Sequence, residues 1–275
     1  MFALEELGEV LFLLSSADRL KLLSEIKGGD LRLTDLAERL SATAQETSKH
    51  LGRLAEGGMV EKKSGGFYKL TPFGSVVFDL IPPLRFMSQH RKYFLSHDVS
   101  SLPQEFILRI GELSENTYVD HVTNVITECQ HLLGMAEEHF CWITDQPLPW
   151  SISKPLPESM SVRIILQTDV PLKGYQLART MLGPRAEVRF ADRVKVSLAV
   201  NEKMGGVTFP DVEGRTDFSC GFIGYSQSFQ RWCSDLFDHF WDNARKAWPE
   251  QLQAISAKGS VRTESGKSPP LTQRE

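Results

Sequence analysis

The sequence predicts a two-domain protein of mixed α+β and α/β class, with a small α+β domain first and an α/β domain after it. Three observations carry this. Between Leu31 and Gly74, two runs of helical periodicity are followed by two short strand-like runs. From about residue 140 the composition turns to strand-like apolar runs separated by helical ones. At 275 residues, with 41% hydrophobic and 24% charged residues, the chain can fill two globular cores.

Residues 2 to 14 place Leu4, Leu7, Leu11 and Leu14 three and four apart, and Phe2, Val10, Phe12 and Leu13 widen the stripe. That is a helix with more apolar surface than one small domain needs. It predicts packing against the domain's own core or contact with a second copy. Ser16-Ala17-Asp18 starts a second helix that runs through Ile26 and is closed by Gly28-Gly29. Leu33, Leu36, Ala37 and Leu40 then recur at helical spacing, after which Ser41 and Thr43 offer side chains that cap a new helix start. The next helix, about Ala44 to Glu56, is expected to bury Leu51, Leu54 and Ala55 and to present Gln45, Glu46, Ser48, Lys49 and Arg53. Gly57-Gly58 ends it, since glycine takes the left-handed conformation without a Cβ clash. Met59 to Lys63 and Phe67 to Thr71 form a hairpin around Ser64-Gly65-Gly66, with Lys62, Lys63 and Lys69 flanking its tip.

A helix-turn-helix followed by a wing reads double-stranded DNA, with side chains of the second helix reaching base edges and phosphates. The expected contacts are Thr43, Gln45, Glu46, Ser48, Lys49, Arg53, Lys62, Lys63 and Lys69. The net charge of -4 runs against phosphate neutralisation as the main source of affinity. Locally, Lys49, Arg53, Lys62, Lys63 and Lys69 outnumber Glu46, Glu56 and Glu61 only modestly. A homodimer that doubles the contacts is therefore expected, with weak non-specific binding and a shallow salt dependence.

Thr71-Pro72-Phe73-Gly74 opens a further helix, and Pro82-Pro83 must end or kink it. The predicted organisation is a winged helix-turn-helix at 1–82, a helical connector at 83–116, an α/β sensor domain at 117–250 and a disordered tail at 251–275. Within this, the helical pattern runs from Leu84 to about Glu138, with breaks at Asp98 to Pro103 and Gly111 to Asn116. Strands are expected at Phe140 to Thr144, Val162 to Thr168, Glu187 to Ala191, Val194 to Val200 and Gly206 to Phe209. A helical piece spans Lys173 to Met181, and a long helix runs from about Ser226 to Trp248.

Residues 16 to 74, with LTDLAERL, TAQETSKHLGRL, EGGMVEKK and FYKLTPFG, resemble the winged helix-turn-helix of ArsR-like and related archaeal transcription regulators. From about Thr117 to Trp248, SVRIILQTDVPL, RVKVSLAVNEKMGGVTFPDVEGRTDF and SFQRWCSDLFDHFWDNA resemble the sensor that follows such a module in regulators of the methanogenesis type, the FilR1 middle domain. Related sugar-sensing regulators carry a sensor similar to the phospholipase D fold without its catalysis. The resemblance implies that Gln45, Glu46, Ser48 and Lys49 face the major groove while Arg53 and the wing lysines hold phosphates. Gln45 then suits adenine and Lys49 guanine O6/N7, and Glu46 suits cytosine N4 or serves as a first-turn carboxylate favourable to the helix dipole.

Other chemistries fare worse. Cys129-Gln130-His131 and His139-Phe140-Cys141 offer metal-ligand types, but Cys129 and His131 point apart on a helix. A thiol- or metal-responsive regulator using Cys129 and Cys141 stays as the alternative, although no metal site and no cofactor are expected. His90-Arg91-Lys92 begins like a phospholipase D motif, but His97 stands where its Asp belongs and no second copy exists, so a degenerate hydrolase is the remotest reading. No GxSxG, P-loop or GxGxxG stands at a strand-helix junction, and no enzyme is expected.

An effector pocket is expected beyond the carboxyl ends of the strands, at Asp145, Gln146, Thr168, Asp169 and Asp192. Arg193 and Lys195 read as partners of an anionic effector or as edge-strand gatekeepers, and Phe229, Trp232, Phe237, Phe240 and Trp241 as core. No apolar run approaches the roughly 18 residues that cross a membrane, and MFALEELGEV lacks a signal peptide's basic start. Four cysteines with no CxxC pair fit reduced thiols. The whole predicts a cytoplasmic regulator that binds operator DNA as a homodimer and senses a small molecule, with no membrane partner.

Overall fold

A computed structural model describes residues 2–145, 156–170, 176, 182 and 186–246, and the chain divides into two compact units, 1–82 and 83–275. The first unit runs α1 (Phe2–Leu14), α2 (Ala17–Lys27), β1 (Leu31–Arg32), α3 (Leu33–Leu40), α4 (Ala44–Glu56), β2 (Val60–Lys62), β3 (Phe67–Leu70) and α5 (Pro72–Asp79). Its antiparallel sheet has the order β1-β3-β2, with Leu31 opposite Tyr68 and Val60 opposite Leu70. Leu22, Leu23, Leu36, Leu51, Leu54 and Met59 are wholly buried between the helices and this sheet. Each such side chain stabilises the fold by roughly 1.5 to 3 kcal/mol relative to exposure.

Three local expectations are corrected in this unit. Ser41 does not start α4; it closes α3 in the left-handed conformation, at φ 51°, and its N–H donates to the Glu38 carbonyl at 3.0 Å. Thr43 alone caps α4. Ala55 is exposed, because the buried stripe of α4 runs through Thr47, Leu51 and Leu54 and Ala55 lies about 80° around the helix from Thr47. At the helix end only Gly58 is left-handed (φ 69°), while Gly57 has an ordinary φ of -82°. The Met59 amide donates to Leu54 O at 2.8 Å and the Gly58 amide to Ala55 O at 3.0 Å, the paired bonds of a Schellman closure.

Arg19 is buried at the start of α2. Its Nε donates to Leu13 O at 2.5 Å and its Nη2 to Phe12 O at 2.6 Å, so the guanidinium satisfies the last carbonyls of α1. On the outside of α1, Leu4, Leu7, Leu11 and Phe12 are exposed, as are Phe73, Val76 and Leu80 on and just after α5.

The second unit includes most of α6 (Ile81–Gln89), then α7 (Arg91–Phe94), α8 (Gln104–Leu108), a 3-10 turn at Ile110–Ser114, β4 (Thr117–Asp120) and α9 (Val122–Met135). Next come β5 (His139–Thr144), β6 (Ser161–Gln167), β7 (Glu187–Ala191), β8 (Ser197–Asn201), β9 (Gly205–Thr208), β10 (Cys220–Gly224) and α10 (Gln227–Asn243). The seven strands order as β4-β10-β9-β8-β5-β6-β7. β6 and β7 run parallel to β5 and to each other, and every other pairing is antiparallel.

The strand period divides the core. Cys141, Ile143, Leu198 and Val200 face α10, while Phe140, Trp142 and Ala199 face α9. Phe229, Trp232, Phe237 and Trp241 of α10 are buried in the first layer, with Phe240 partly so.

The predicted connector is the main correction here. Phe86, Tyr93, Leu102, Phe106, Ile110 and Leu113 are buried in the same core as α10, so residues 83–116 belong to the C-terminal unit. Two strands were not foreseen. Thr117–Asp120 falls within the helical pattern read from Leu84 to Glu138, and Cys220–Gly224 contains Gly221 and Gly224, which lower its apparent strand propensity. Arg193 and Lys195 are not edge-strand residues, since they precede β8, which lies between β5 and β9. The expected helix at Lys173 to Met181, apart from Gln176, and the tail at 251–275 lie outside the described residues.

Candidate nucleic-acid interface

The first turn of α4 is built by a reciprocal cap. Thr43 Oγ1 accepts from the Glu46 amide at 3.2 Å, and the Glu46 carboxylate accepts from the Thr43 amide at 3.2 Å and from its hydroxyl at 2.8 Å. Of the two roles open to Glu46 in the sequence, the geometry holds its carboxylate in the cap, and Thr43 is engaged in the same way. The bonds from Thr43 also hold the Glu46 carboxyl below its usual pKa. The cap's stabilisation is therefore complete above the ordinary carboxylate range and fades as pH falls through the lowered value. Thr43→Ala should cost about 1 kcal/mol of stability, read as a lower denaturant midpoint at unchanged m-value.

Beyond the cap, Gln45, Ser48, Lys49 and Gly52 share one exposed face, opposite the buried Thr47, Leu51 and Leu54. Gln45, Ser48 and Lys49 make no side-chain hydrogen bond or ion pair among the described residues, so their polar ends are free for a partner. A Cβ at Gly52 would meet nothing within 4 Å, so that part of the face is open. Arg53 is exposed beside it.

The wing is less free than its lysines suggest. Lys63 Nζ is held by Asp30 at 2.5 Å, and Lys69 Nζ by Glu61 at 2.5 Å, directly across the β2-β3 pair. Glu61 raises the Lys69 pKa. Lys62 Nζ instead lies over the Tyr68 ring, 5.7 Å from its centroid. A cation that the sequence reading missed stands here too: the Arg32 guanidinium lies 4.7 Å from the Phe67 ring centroid. Its place depends on β1, which at two residues leaves no periodic trace in the sequence.

Residues 7–89 match the family model described as the HVO_A0261 N-terminal domain. Among solved structures, TrmBL2, an archaeal chromatin protein, is 14% identical over 84% of this chain and 93% of its own, at a TM-score of 0.40. The homodimeric winged helix-turn-helix DNA-binding domain of Mb0332 from Mycobacterium bovis is 20% identical over 32% of this chain and 86% of its own, at 0.30. The transcriptional repressor BigR from Xylella fastidiosa is 27% identical over 32% of this chain and 89% of its own, at 0.27. Likenesses at these scores are too weak to carry the fold assignment, which stands on the element order and strand pairing above. No curated protein matches the chain.

In the C-terminal unit, Asp145, Thr168 and Asp192 come to the same end of the parallel strands β5, β6 and β7. Asp145 Oδ1 is buried and has no partner among the described residues. The neighbours are committed elsewhere: Asp192 to Arg245 at 2.6 Å, and Asp169 to the Gln167 amide at 2.7 Å. Gln146 lies outside the described residues. A separate cavity of about 40 Å³ lies between α9 and the sheet, lined by Cys129, Leu132, Trp142 and Ile223 among others, and is of the size that holds a water or two.

The pairing of Cys129 with Cys141 is ruled out. Cys129 packs with the α9 layer and Cys141 with the α10 layer, on opposite faces of the sheet. Burial pushes the Cys129 thiol up to about 12 and the Cys141 thiol up to about 11, the latter despite Arg163 at 3.5 Å. Neither is a reactive thiolate. His90 is half-buried between Phe86 and Phe222, and that burial lowers its pKa.

Proposed function

We propose that this chain is a sequence-specific DNA-binding transcription regulator that works as a homodimer, with the C-terminal α/β unit as a non-catalytic sensor of a small molecule. The observation that carries the reading is the outer face of α4. Gln45, Ser48 and Lys49 stand exposed on a helix anchored at both ends, with no internal partner among the described residues and no side chain at Gly52 in the way. Those side chains suit adenine and guanine edges in the major groove, and Arg53, Lys62 and Arg32 would hold phosphates. Selection from a random duplex library with the whole protein tests this. Enrichment of an inverted repeat with half-sites about one helical turn apart supports it, and no enrichment at low salt overturns it.

The dimer is supported by the exposed stripe of Leu4, Leu7 and Leu11 on α1 and the exposed Phe73 of α5. Leu7→Glu combined with Leu11→Glu should convert a dimer to a monomer in sedimentation velocity and lower operator affinity by at least tenfold. A wild-type protein that sediments as a monomer would sink the dimer.

The sensor reading, which we place with the methanogenesis-regulator type and in the cytoplasm, draws its pocket from Asp145 at the parallel strand ends, whose buried carboxylate oxygen has no partner among the described residues.

A further inference from the structure

A second cluster lies at the other side of the C-terminal sheet, far in sequence from every residue considered above for binding. His97 follows α7, while Asp217 and Cys220 lead into and begin β10. His97 Nε2 lies 3.1 Å from Asp217 Oδ2 and 3.7 Å from Cys220 Sγ, and Cys220 Sγ lies 3.7 Å from the same carboxylate oxygen. The histidine and the cysteine are buried, whereas the Asp217 side chain keeps 29% of its surface exposed and so leaves a way in from solvent.

The imidazole is oriented by its surroundings. It stacks on Tyr93, with centroids 3.7 Å apart and planes at 4°, and its Nδ1 faces the Tyr93 carbonyl oxygen at 2.9 Å. Nδ1 also lies 3.1 Å from the Ser96 hydroxyl, and a proton on Nδ1 donated to the Tyr93 carbonyl would leave Nε2 free to turn toward the other two groups. The carboxylate is steadied in turn, its other oxygen accepting from the Ser219 amide at 2.7 Å. Thr208 Oγ1 lies 2.8 Å from the carbonyl oxygens of both Asp217 and Cys220, and its one proton is shared between them. Nε2 and the carboxylate oxygen, 3.1 Å apart, need a proton or a cation between them. A proton on Nε2 and a thiol donating to the same carboxylate oxygen can serve the cluster without an ion, Ser219 Oγ donating to the sulfur at 3.8 Å; in that arrangement all three ligand atoms still converge on one point.

A catalytic triad is excluded by the same geometry. There the base lies between nucleophile and acid and uses one ring nitrogen for each, whereas here sulfur and carboxylate both meet Nε2. The three distances instead form the face of a tetrahedron. At zinc bond lengths, neighbouring ligand atoms lie about 3.3 Å apart for the nitrogen-oxygen edge and about 3.5 Å for the edges to sulfur.

We propose that His97, Asp217 and Cys220 bind a divalent ion of the zinc class, Zn2+ or Co2+, through Nε2, a carboxylate oxygen and Sγ, with a fourth position open toward solvent. The mix of thiolate, imidazole and carboxylate suits a borderline metal better than Mg2+ or Ca2+, which take oxygen. The Tyr93 carbonyl and the Ser219 amide supply the outer hydrogen bonds that such sites use to fix their ligands. The ion would join the segment after α7 to β10; the Asp98 amide already ties that segment to the Pro210 carbonyl, just after β9, at 2.9 Å.

Titration of the full-length, chelator-stripped protein with Co2+ tests this. One equivalent should bind and give a thiolate-to-cobalt charge-transfer band, and Zn2+ should displace it. Cys220→Ser should remove that band, and Asp217→Asn, at a half-exposed position that leaves the fold intact, should weaken binding at least tenfold. Cys129→Ser should change neither. Absence of stoichiometric binding to folded wild-type protein, or a band that survives in Cys220→Ser or vanishes in Cys129→Ser, overturns the site and leaves a buried hydrogen bond between His97 and Asp217. Neither result bears on DNA recognition by α4, which the library selection reads separately.

Discussion

Gly74→Ala is expected to destabilise the N-terminal unit by about 3 kcal/mol or more, a large fraction of what a small domain has. A Cβ there would sit 1.9 Å from Met59 O and 2.7 Å from Met59 C, and both are backbone atoms that cannot swing aside. The approach is close because α5 is seated on the turn before β2. The Thr71 amide donates to Met59 O at 3.1 Å, the Thr71 hydroxyl to Gly58 O at 2.5 Å, and Thr71 Oγ1 accepts from the Gly74 amide at 2.9 Å. Room for the methyl group could come only from lifting α5 off the sheet or breaking this cap. Denaturant unfolding followed by far-UV circular dichroism measures the loss, and a midpoint within 0.2 M urea of wild type (about 0.2 to 0.6 kcal/mol) would contradict it.

Lys49→Ala should act on a different quantity. Stability should stay within about 0.5 kcal/mol of wild type, since the side chain is exposed and makes no contact that an alanine would lose among the described residues. Operator affinity should fall by about 1 to 3 kcal/mol per half-site, so a dimer would lose roughly 2 to 6 kcal/mol, and discrimination at one base position should relax. Lys62→Ala provides the contrast. It should weaken all duplexes about equally and lower the salt slope by about one per protomer. Lys63 and Lys69 should contribute less than Lys62, because DNA must compete with Asp30 and Glu61 for them. Equal losses for specific and random DNA in Lys49→Ala would show that this residue holds phosphate and reads no base.

What the sequence made legible was local. The helix-turn-helix rests on three- and four-residue spacing and on Thr43-x-x-Glu46, and the hairpin on Ser64-Gly65-Gly66, all of which act within a few residues. The function of Gly74 was not legible in that way, because its neighbour Met59 is brought to it only by the fold. The same holds for the cluster of His97 with Asp217 and Cys220, residues separated by 120 and 123 positions. Residues 83–116 misled for a related reason. A short helix that packs on a distant sheet shows the same apolar rhythm as one that packs on its neighbours, and only Phe86 and Phe106 in the core with Trp232 tell them apart.

The guanidinium of Arg19 at the end of α1 has a consequence for association. A terminal helix without such a tie would swing, and ordering it on contact would subtract from whatever affinity its leucines provide. With Phe12 O and Leu13 O both clasped by a buried side chain, the stripe of Leu4, Leu7 and Leu11 on α1 is held in one orientation, the one that the proposed dimer would use. Lysine could not take over the task. It offers one point of charge where two carbonyls need a planar fork, so the smallest change of shape at a buried position would cost the helix its preorganisation while leaving its apolar face chemically intact.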